Sequence, residues 1–238
     1  MKGLHVRLSK RLGKLEIDVA FSCPEGSTLA LIGPSGAGKT TIIRMVAGLE
    51  RPDDGAILFN GETFFDQEKG IRLSPQKRGL GYVFQDYTLF PHLSLYGNAA
   101  FAAKDRTEVE GLFRFFGLGP MRDRKPHQVS GGERQRCAIC QAMATRPRLL
   151  LLDEPFSALD VVTRRKLRDE LKKIKEERRL SVVYVTHDVT EALYMADVIL
   201  PVVDGKIDRD WLEEITSASG TRNLLAKAVR EPKLSLAF

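Results

Sequence analysis

The stretch TLALIGPSGAGKTTIIRMVAGLE, residues 28–50, decides the fold. It begins as a short apolar strand, passes through a glycine-rich loop and ends in a helical pattern that stops near Gly48. The loop GPSGAGKT has the G-x4-G-K-T spacing of a phosphate-binding loop. Its glycines let backbone N–H groups converge on an anion, and the dipole of the following helix favours the same charge. The residues predicted to bind phosphate are Gly33, Pro34, Ser35, Gly36, Ala37, Gly38, Lys39, Thr40 and Thr41.

A second apolar strand, LLLLDEP at residues 149–155, ends in two carboxylates. In phosphoryl transfer an acid at such a strand end holds magnesium, together with the hydroxyl of the phosphate loop. We therefore predict that Asp153 and Thr40 are magnesium ligands and that Lys39 reaches the β- and γ-phosphates. Glu154 follows directly and is predicted to accept a proton from the attacking water, as a general base.

The segment VSGGERQR, residues 129–136, resembles a second anion-binding turn. A structural explanation exists, because Ser130 and Glu133 have the spacing of a capping box that starts a helix. That explanation does not account for Gly131 and Gly132, since a glycine in a helix costs about 1 kcal/mol relative to alanine. Glycines allow another molecule to approach the backbone closely. We therefore predict that this helix terminus is exposed to an anion.

The order of patterns predicts an α/β fold. Apolar strands alternate with helices, and an antiparallel hairpin is expected within the first 21 residues. Pro201 is expected to mark an edge position or a break in a late strand. The predicted divisions are 1–86 with 149–207 as a nucleotide-binding core with an antiparallel β layer, 87–148 as an inserted helical subdomain, and 208–238 as a short C-terminal helical extension.

Composition narrows the class of protein. The chain of 238 residues carries a net charge of +6. Residues 104–148 hold ten Lys/Arg against five Asp/Glu, which would suit nucleic acid, anionic lipid or an acidic partner. A similar excess at 164–179 is better explained as a solvated helix face, because apolar residues recur there at helical spacing. No apolar run is long enough to span a membrane and the N-terminus lacks a signal core, so we expect a cytosolic protein.

Cys137 and Cys140 form a C-x-x-C pair inside a helical pattern. No second such pair and no paired histidines accompany it, which argues against a zinc or redox site. Unpaired cysteines usually pack as small buried hydrophobes, and we adopt that interpretation.

Taken together, these motifs resemble the ATP-binding subunit of ABC transporters over nearly the whole chain. VSGGERQ matches the family's signature, SALD at 157–160 matches its D-loop, and Gln85 and His187 match its Q-loop glutamine and switch histidine. The resemblance implies a P-loop NTPase fold with a RecA-like parallel sheet core. One departure is that Leu12 and Leu15 stand where the family usually has an aromatic residue that stacks on adenine.

The resemblance also implies how the motifs work. Two copies form a head-to-tail homodimer, and Ser130, Gly131 and Gly132 of one copy bind the γ-phosphate of ATP held by the other. Asp160 shapes the contact between the copies. Gln85 contacts Mg2+ and the attacking water, and His187 binds the γ-phosphate and orients Glu154.

The implied partners are integral-membrane permease subunits at the cytoplasmic face of the membrane, together with an extracytoplasmic solute-binding protein. Nucleic acid is not among them. Residues 87–101 correspond to the groove that receives a short helix of the membrane subunit.

Within the family, residues 73–98 and RNLLAKAV at 222–229 resemble importers of inorganic oxyanions, above all molybdate or tungstate. Longer members of that group carry an additional regulatory β-domain, which we do not expect here. Two alternatives stay open. One is an importer ATPase for sulfate, phosphate or an organic solute, and the other is a nucleic-acid-associated ABC ATPase, which the basic patches suggest.

Overall fold

The computed structural model describes residues 2–86, 88–157 and 159–218. Two compact units divide the chain, one of residues up to 78 together with those from 181 onward, and one of residues 79–180. The three-part division drawn from the sequence stays a prediction.

The described residues form eleven strands and seven α-helices. They are β1 (Leu4–Leu12), β2 (Leu15–Cys23), β3 (Thr28–Ile32), α1 (Lys39–Ala47), β4 (Asp54–Phe59), β5 (Glu62–Asp66), β6 (Ile71–Arg72), β7 (Leu80–Val83), α2 (Leu95–Ala100), α3 (Arg106–Phe115), α4 (Gly131–Met143), β8 (Leu149–Asp153), α5 (Val161–Arg178), β9 (Ser181–Thr186), α6 (Val189–Met195), β10 (Val198–Val203), β11 (Lys206–Ile207) and α7 (Arg209–Ala218).

The first unit contains both predicted kinds of sheet. Its strands lie in the order β6-β5-β4-β1-β2-β11-β10-β3-β9. The predicted hairpin is confirmed, since β1 pairs with β2 in antiparallel register up to Leu12 and Leu15. Strands β10, β3 and β9 are parallel, and every residue of β3 and β9 is buried. Parallel strands are normally covered on both faces, which is why these two consist mainly of apolar residues.

Pro201 lies inside strand β10, which is neither at a sheet edge nor broken at this residue, so the expectation of an edge or a break was wrong. The strand is flanked by β3 and β11. Its pairing with β3 ends at Pro201, and its pairing with β11 begins at Val202. A proline therefore falls where the ladder changes partner, and its carbonyl still accepts the N–H of Asp208 at 3.0 Å.

Arg78 is a buried cation in the first unit. Its guanidinium donates to the carbonyls of Met45 and Val46 at 3.0 and 2.6 Å, and also to those of Leu73 and Phe64. The side chain thereby adds donors to the last carbonyls of α1, of which that of Met45 also accepts the N–H of the C-cap Gly48 at 3.1 Å. Burial lowers the pKa of Arg78 to about 10. This arginine fixes the end of the helix that begins at the phosphate loop.

The second unit is mainly helical, with the parallel strands β7 and β8. Helix α4 packs on α2, α3, α5 and β7. A Cβ placed on Gly81 of β7 would lie 2.9 Å from the carbonyl oxygen of Ala142, so helix and strand meet without room for a side chain. Helix α3 begins at Asp105, whose side chain accepts the N–H of Thr107.

Candidate functional site

The phosphate loop leaves β3 and enters α1 with positive φ at Gly33, Gly36 and Gly38, and the first and last of these also lie against other strands. Gly33 has φ +148°, and a Cβ placed on it would lie only 2.0 Å from the carbonyl oxygen of Val202 in β10. Gly38 caps α1 with φ +94°, and a Cβ there would meet Ile17 of β2 at 3.0 Å. Both positions therefore require glycine for close approach as well as for conformation. Strands β2 and β10 hold the loop from its two ends.

Lys39 is folded into this loop. Its Nζ donates to the carbonyls of Gly33 at 2.8 Å and Pro34 at 2.7 Å, and the residue is only 5% exposed. An ammonium is a compact charge that binds phosphate as a point cation. The loop thus holds a nearly buried positive charge beside the N-terminus of a helix, where the dipole also attracts anions.

His187 follows β9 at the edge of the sheet where the phosphate loop begins. Thr186, the last residue of β9, pairs in parallel register with Ile32, the last residue of β3. Ligands of open α/β sheets bind at the carboxyl ends of the strands. Gly33 and His187 are the first residues after two such strand ends. The imidazole is exposed.

In the second unit, β7 and β8 also end at one edge. Val83 pairs with Leu152, so Gln85 and Asp153 both follow the paired positions. Asp153 is 2% exposed, and the hydroxyl of Tyr82 donates to its Oδ2 at 3.4 Å. Gln85 is exposed. The edge thus presents one buried carboxylate and one accessible amide.

Glu154 adopts a left-handed backbone conformation, with φ +46°. Such a conformation is uncommon for a residue other than glycine and costs about 1–3 kcal/mol. The carbonyl of Glu154 accepts the N–H and the hydroxyl of Ser157 at 3.3 and 3.0 Å. This turn directs the chain away from β8 immediately after Asp153, so the two adjacent carboxylates are not constrained to opposite faces of a strand.

The signature segment begins helix α4 through the predicted capping box. The N–H of Glu133 donates to Oγ of Ser130 at 3.3 Å, and the N–H of Ser130 donates to the Glu133 carboxylate at 2.8 Å. Gly132 is buried, and a Cβ placed on it would lie 2.6 Å from Cγ2 of Thr163 in α5. Packing within the chain therefore requires glycine at position 132. Ser130 itself is exposed.

Asp160 caps α5. One oxygen of its side chain accepts the N–H groups of Val162 and Thr163, both at 3.0 Å. The Thr163 hydroxyl and these N–H groups hold the pKa of Asp160 below its usual range, so the cap stays ionised near neutrality. Thr163 contacts both motifs, since its hydroxyl bonds to Asp160 and its methyl group faces Gly132.

Comparison with known proteins identifies the family. The sequence model described as ABC transporter matches residues 17–157. This chain belongs to the ABC transporter family. The match includes the phosphate loop, the end of β7, the signature segment and the carboxylates Asp153 and Glu154 at the end of β8.

Relatives within the family are import proteins. The molybdenum import ATP-binding protein ModC of Yersinia pestis is 39% identical, with 94% of this chain and 63% of the relative covered. The molybdate/tungstate import ATP-binding protein WtpC of Archaeoglobus fulgidus is 39% identical, with 94% and 97% covered. The sulfate/thiosulfate import ATP-binding protein CysA of Synechocystis is 42% identical, with 85% and 58% covered. The chain thus spans less than two thirds of the length of ModC.

A solved structure places the fold in the same family. The dimeric ATP-binding cassette MJ0796, in a post-hydrolysis state bound to ADP and Pi, superposes with a TM-score of 0.72 and 29% identity. The superposition covers 87% of this chain and 97% of that one. The predicted α/β fold of a P-loop NTPase is confirmed, and so is the resemblance to the ABC family's ATP-binding subunits and to their molybdate and tungstate group.

The structure assembles the predicted residues in separate groups. In the first unit the phosphate loop and His187 share one sheet edge, and in the second Gln85 shares an edge with Asp153 and Glu154. The signature and Asp160 meet through Thr163. The individual roles stay predictions. Tyr87, Ala158 and residues 222–229 lie outside the described residues.

Sequence reasoning missed Tyr82 and Thr163. Tyr82 alternates with the buried Val83 in a short strand, a pattern that gives no sign of a hydrogen bond to Asp153. Thr163 looks like any polar residue in the first turn of a helix. Only the three-dimensional contact with Gly132 reveals the packing role of Thr163. The one sequence signal that a close neighbour exists is a glycine in the first turn of a helix.

The structure also bears on possible membrane spans and on the environment of the two cysteines of α4. Among the described residues, no helix is both long enough and apolar enough to cross a membrane. Cys137 and Cys140 are unpaired and fully buried, and burial raises the pKa of Cys137 to about 12. A thiol of that kind is unreactive near neutrality, which agrees with a packing role.

Proposed function

We propose that this protein is the ATP-hydrolysing subunit of an ABC importer. The observation that carries the proposal is the phosphate loop, in which the nearly buried Lys39 ammonium lies within a glycine turn at the start of α1. An accessible anion there meets a fixed charge, backbone N–H groups and the helix dipole together. Membership of the ABC family supports a nucleoside triphosphate as that anion.

The donor set suits magnesium. The Thr40 hydroxyl, the Gln85 side-chain carbonyl and the Asp153 carboxylate all offer oxygen, which Mg2+ prefers. Bound magnesium would neutralise developing charge on the β- and γ-phosphates. Tyr82 orients the Asp153 carboxylate by its hydrogen bond. Glu154 accepts the proton of the attacking water, Lys39 stabilises charge on the phosphates, and His187 donates to the γ-phosphate.

The working form is a homodimer in which each copy supplies Ser130, Gly131 and Gly132 to the nucleotide of the other. Support comes from the exposed Ser130 at the N-terminus of the 13-residue helix α4, since the one carboxylate in the first turn of that helix, Glu133, serves as its cap. MJ0796, a related cassette, is dimeric. Asp160 shapes the contact between copies by fixing the start of α5.

The proposed cargo is an inorganic oxyanion, with molybdate or tungstate first. The names of ModC and WtpC support this assignment, and the name of CysA makes sulfate the second candidate. The subunit acts at the cytoplasmic face of the membrane, with permease subunits and an extracytoplasmic solute-binding protein. The basic patches give less support to nucleic acid than their composition suggested, because Arg136 pairs with Glu170, and Arg146 and Arg178 pair with Glu108.

Replacing Glu154 by Gln tests the catalytic assignment. Since a general base contributes about 10²–10⁴-fold, turnover should fall by at least about 100-fold while ATP binding persists, and ATP should trap a dimer on a sizing column. Glu62→Gln makes the same chemical change at an exposed position of β5, so it is the matched control and should retain turnover. Persistent turnover in Glu154→Gln would reject Glu154 as the base. Full turnover by a wild-type monomer at every concentration would reject the dimer.

The cargo is tested in the reconstituted importer. With the permease and binding protein present in vesicles, molybdate should stimulate ATP hydrolysis at concentrations where sulfate does not. Stimulation by sulfate alone would assign the second candidate instead.

A further inference from the structure

The tip of the β1–β2 hairpin places two leucines beside the phosphate loop. Leu12 and Leu15 are directly opposite each other in the antiparallel register, so both side chains lie on one face of the hairpin. Ile17 is two positions after Leu15 in β2 and shares that face. A Cβ placed on Gly38 of the phosphate loop would lie 3.0 Å from Cδ1 of Ile17 and 3.4 Å from Cδ2 of Leu15. The face that carries the two leucines is therefore the face that adjoins the loop.

Exposure of this face increases toward the hairpin tip. Ile17 is fully buried, Leu15 is half-buried and Leu12 is 37% exposed. A single exposed leucine is ordinary on a protein surface. Here, however, the exposed leucine extends an apolar face that begins at the phosphate loop. A nucleobase has a flat face that packs on such a surface, and in a nucleotide it is attached to the phosphates that the loop would hold.

The charged groups of the two strands near the tip are engaged or lie on the other face. Lys10 shares the face of the leucines, but its Nζ donates to the carbonyl of Arg51 at 2.8 Å and pairs with the Glu50 carboxylate at 3.0 Å. Arg11 and Glu16 are opposite each other in the register and lie on the far face. The surface that the two leucines present beside the loop is thus aliphatic, without a hydrogen-bonding group of its own.

An aliphatic surface holds a base without reading its identity. Adenine and guanine differ in the hydrogen-bond donors and acceptors along their edges. A site built to hydrogen-bond its substrate rejects an analogue that lacks the group by about 10⁴-fold or more, whereas an apolar contact makes no such distinction. We propose that Leu12 and Leu15 hold the base of the bound nucleotide and that this protein therefore accepts triphosphates of either purine. The inference rests on the proposed function, because it requires a triphosphate at Lys39.

Calorimetric titration of the wild-type protein with ATP and with GTP tests the breadth of binding. Magnesium is left out, so that no hydrolysis occurs during the titration. The two Kd values should lie within about tenfold of each other, since an apolar contact discriminates weakly. A larger preference for either purine would overturn the proposal, because it would show that a polar group, such as the exposed Lys14 of the hairpin turn, reads the base.

Leu12→Ser tests the contact itself. The Kd values for ATP and GTP should rise by the same factor, about 3- to 10-fold, because part of the apolar surface under the base is lost. Inorganic tripolyphosphate has no base and should bind the variant with the Kd of the wild type. Leu49→Ser is the matched control, since Leu49 is also an exposed leucine but lies at the end of α1 remote from the phosphate loop, and it should change none of these values.

An unchanged Kd for ATP in Leu12→Ser would overturn the proposal. An equal loss of tripolyphosphate binding would also overturn it, because the substitution would then act on the phosphate loop and not on the base. These results are separate from failure of the proposed function. A wild type that binds ATP and GTP equally but hydrolyses neither removes only the proposed function, one that hydrolyses ATP but binds GTP more than tenfold less tightly removes only this inference, and one that binds no nucleotide removes both.

Discussion

Gly132 offers a direct test of why the signature contains glycine. In Gly132→Ala the new Cβ would lie 2.6 Å from Cγ2 of Thr163, well inside contact distance. Overpacking of this kind costs about 1–3 kcal/mol, and the better helix propensity of alanine returns up to about 1 kcal/mol. We therefore expect a net destabilisation of about 1 kcal/mol, which corresponds to a Tm lower by about 2–4 °C for a chain of this size.

A second substitution removes the methyl group that the new Cβ would contact. Thr163→Ser deletes Cγ2 and keeps the hydroxyl that bonds to Asp160, so alone it should cost about 0.5 kcal/mol, less than a fully buried methyl group. In the double variant the alanine methyl occupies the vacated space, and stability should return to within about 0.5 kcal/mol of wild type, a coupling of roughly 1 kcal/mol. Urea unfolding of the four proteins measures this coupling. Additive losses would refute the packing argument, and so would a stable Gly132→Ala.

Three other substitutions or conditions test the fold and the site. Arg78→Met should lower the free energy of unfolding by about 2–4 kcal/mol, as measured by denaturant titration, because carbonyls at the end of α1 lose a buried donor. Arg78→Lys should not restore the lost stability, because an ammonium cannot reach four carbonyls as a guanidinium fork does. Asn98→Leu should cost about 2–4 kcal/mol by the same assay, since this fully buried amide bonds to the N–H and carbonyl of Phe90 and to the carbonyls of Leu93 and Ser94. Iodoacetamide at pH 8 should leave Cys137 unmodified in the folded protein, as read by mass spectrometry. The folded thiol, with its pKa raised to about 12, keeps its proton while the unfolded thiol loses its own from about pH 9, so this group's contribution to stability should decline between those two pH values. A rapidly alkylated Cys137, or stability that rises over that range, would contradict the assignment of a buried neutral thiol.

Local patterns predicted the phosphate loop and the elements around it because each is specified by adjacent residues. The hairpin of β1 and β2 follows from alternating apolar residues, and α1 ends at Gly48 because that residue adopts φ +79°. The capping box of Ser130 and Glu133 was predicted for the same reason, since its partners are three residues apart. In each of these cases the deciding residues lie close together in the sequence, from three residues apart in the capping box to at most 19 in the hairpin.

Predictions failed where partners distant in sequence decided the outcome. Thr107 and Glu110 have the spacing of a capping box, but Asp105 caps α3, and Glu110 pairs with Arg122 at 2.9 Å. Strands β5 and β6 were not foreseen, because Glu62–Asp66 is a strand only through its pairing with β4. The environment of Arg78 was equally invisible, since its carbonyl partners are separated from it by up to 33 residues.

The same distinction changes what the signature motif means. Glu133 and Gly132 both have complete explanations within the chain, one as a cap and one as a packing contact, and Asp160 has one as the cap of α5. A family resemblance at these positions therefore reflects the fold as much as the site. Ser130 differs, because it is exposed and, within the part of the chain that the structure describes, its hydroxyl accepts one long hydrogen bond of 3.3 Å. Loss of that bond alone should cost about 1 kcal/mol, so a larger effect of Ser130→Ala on ATP turnover than on stability would have to come from a contact outside its own chain.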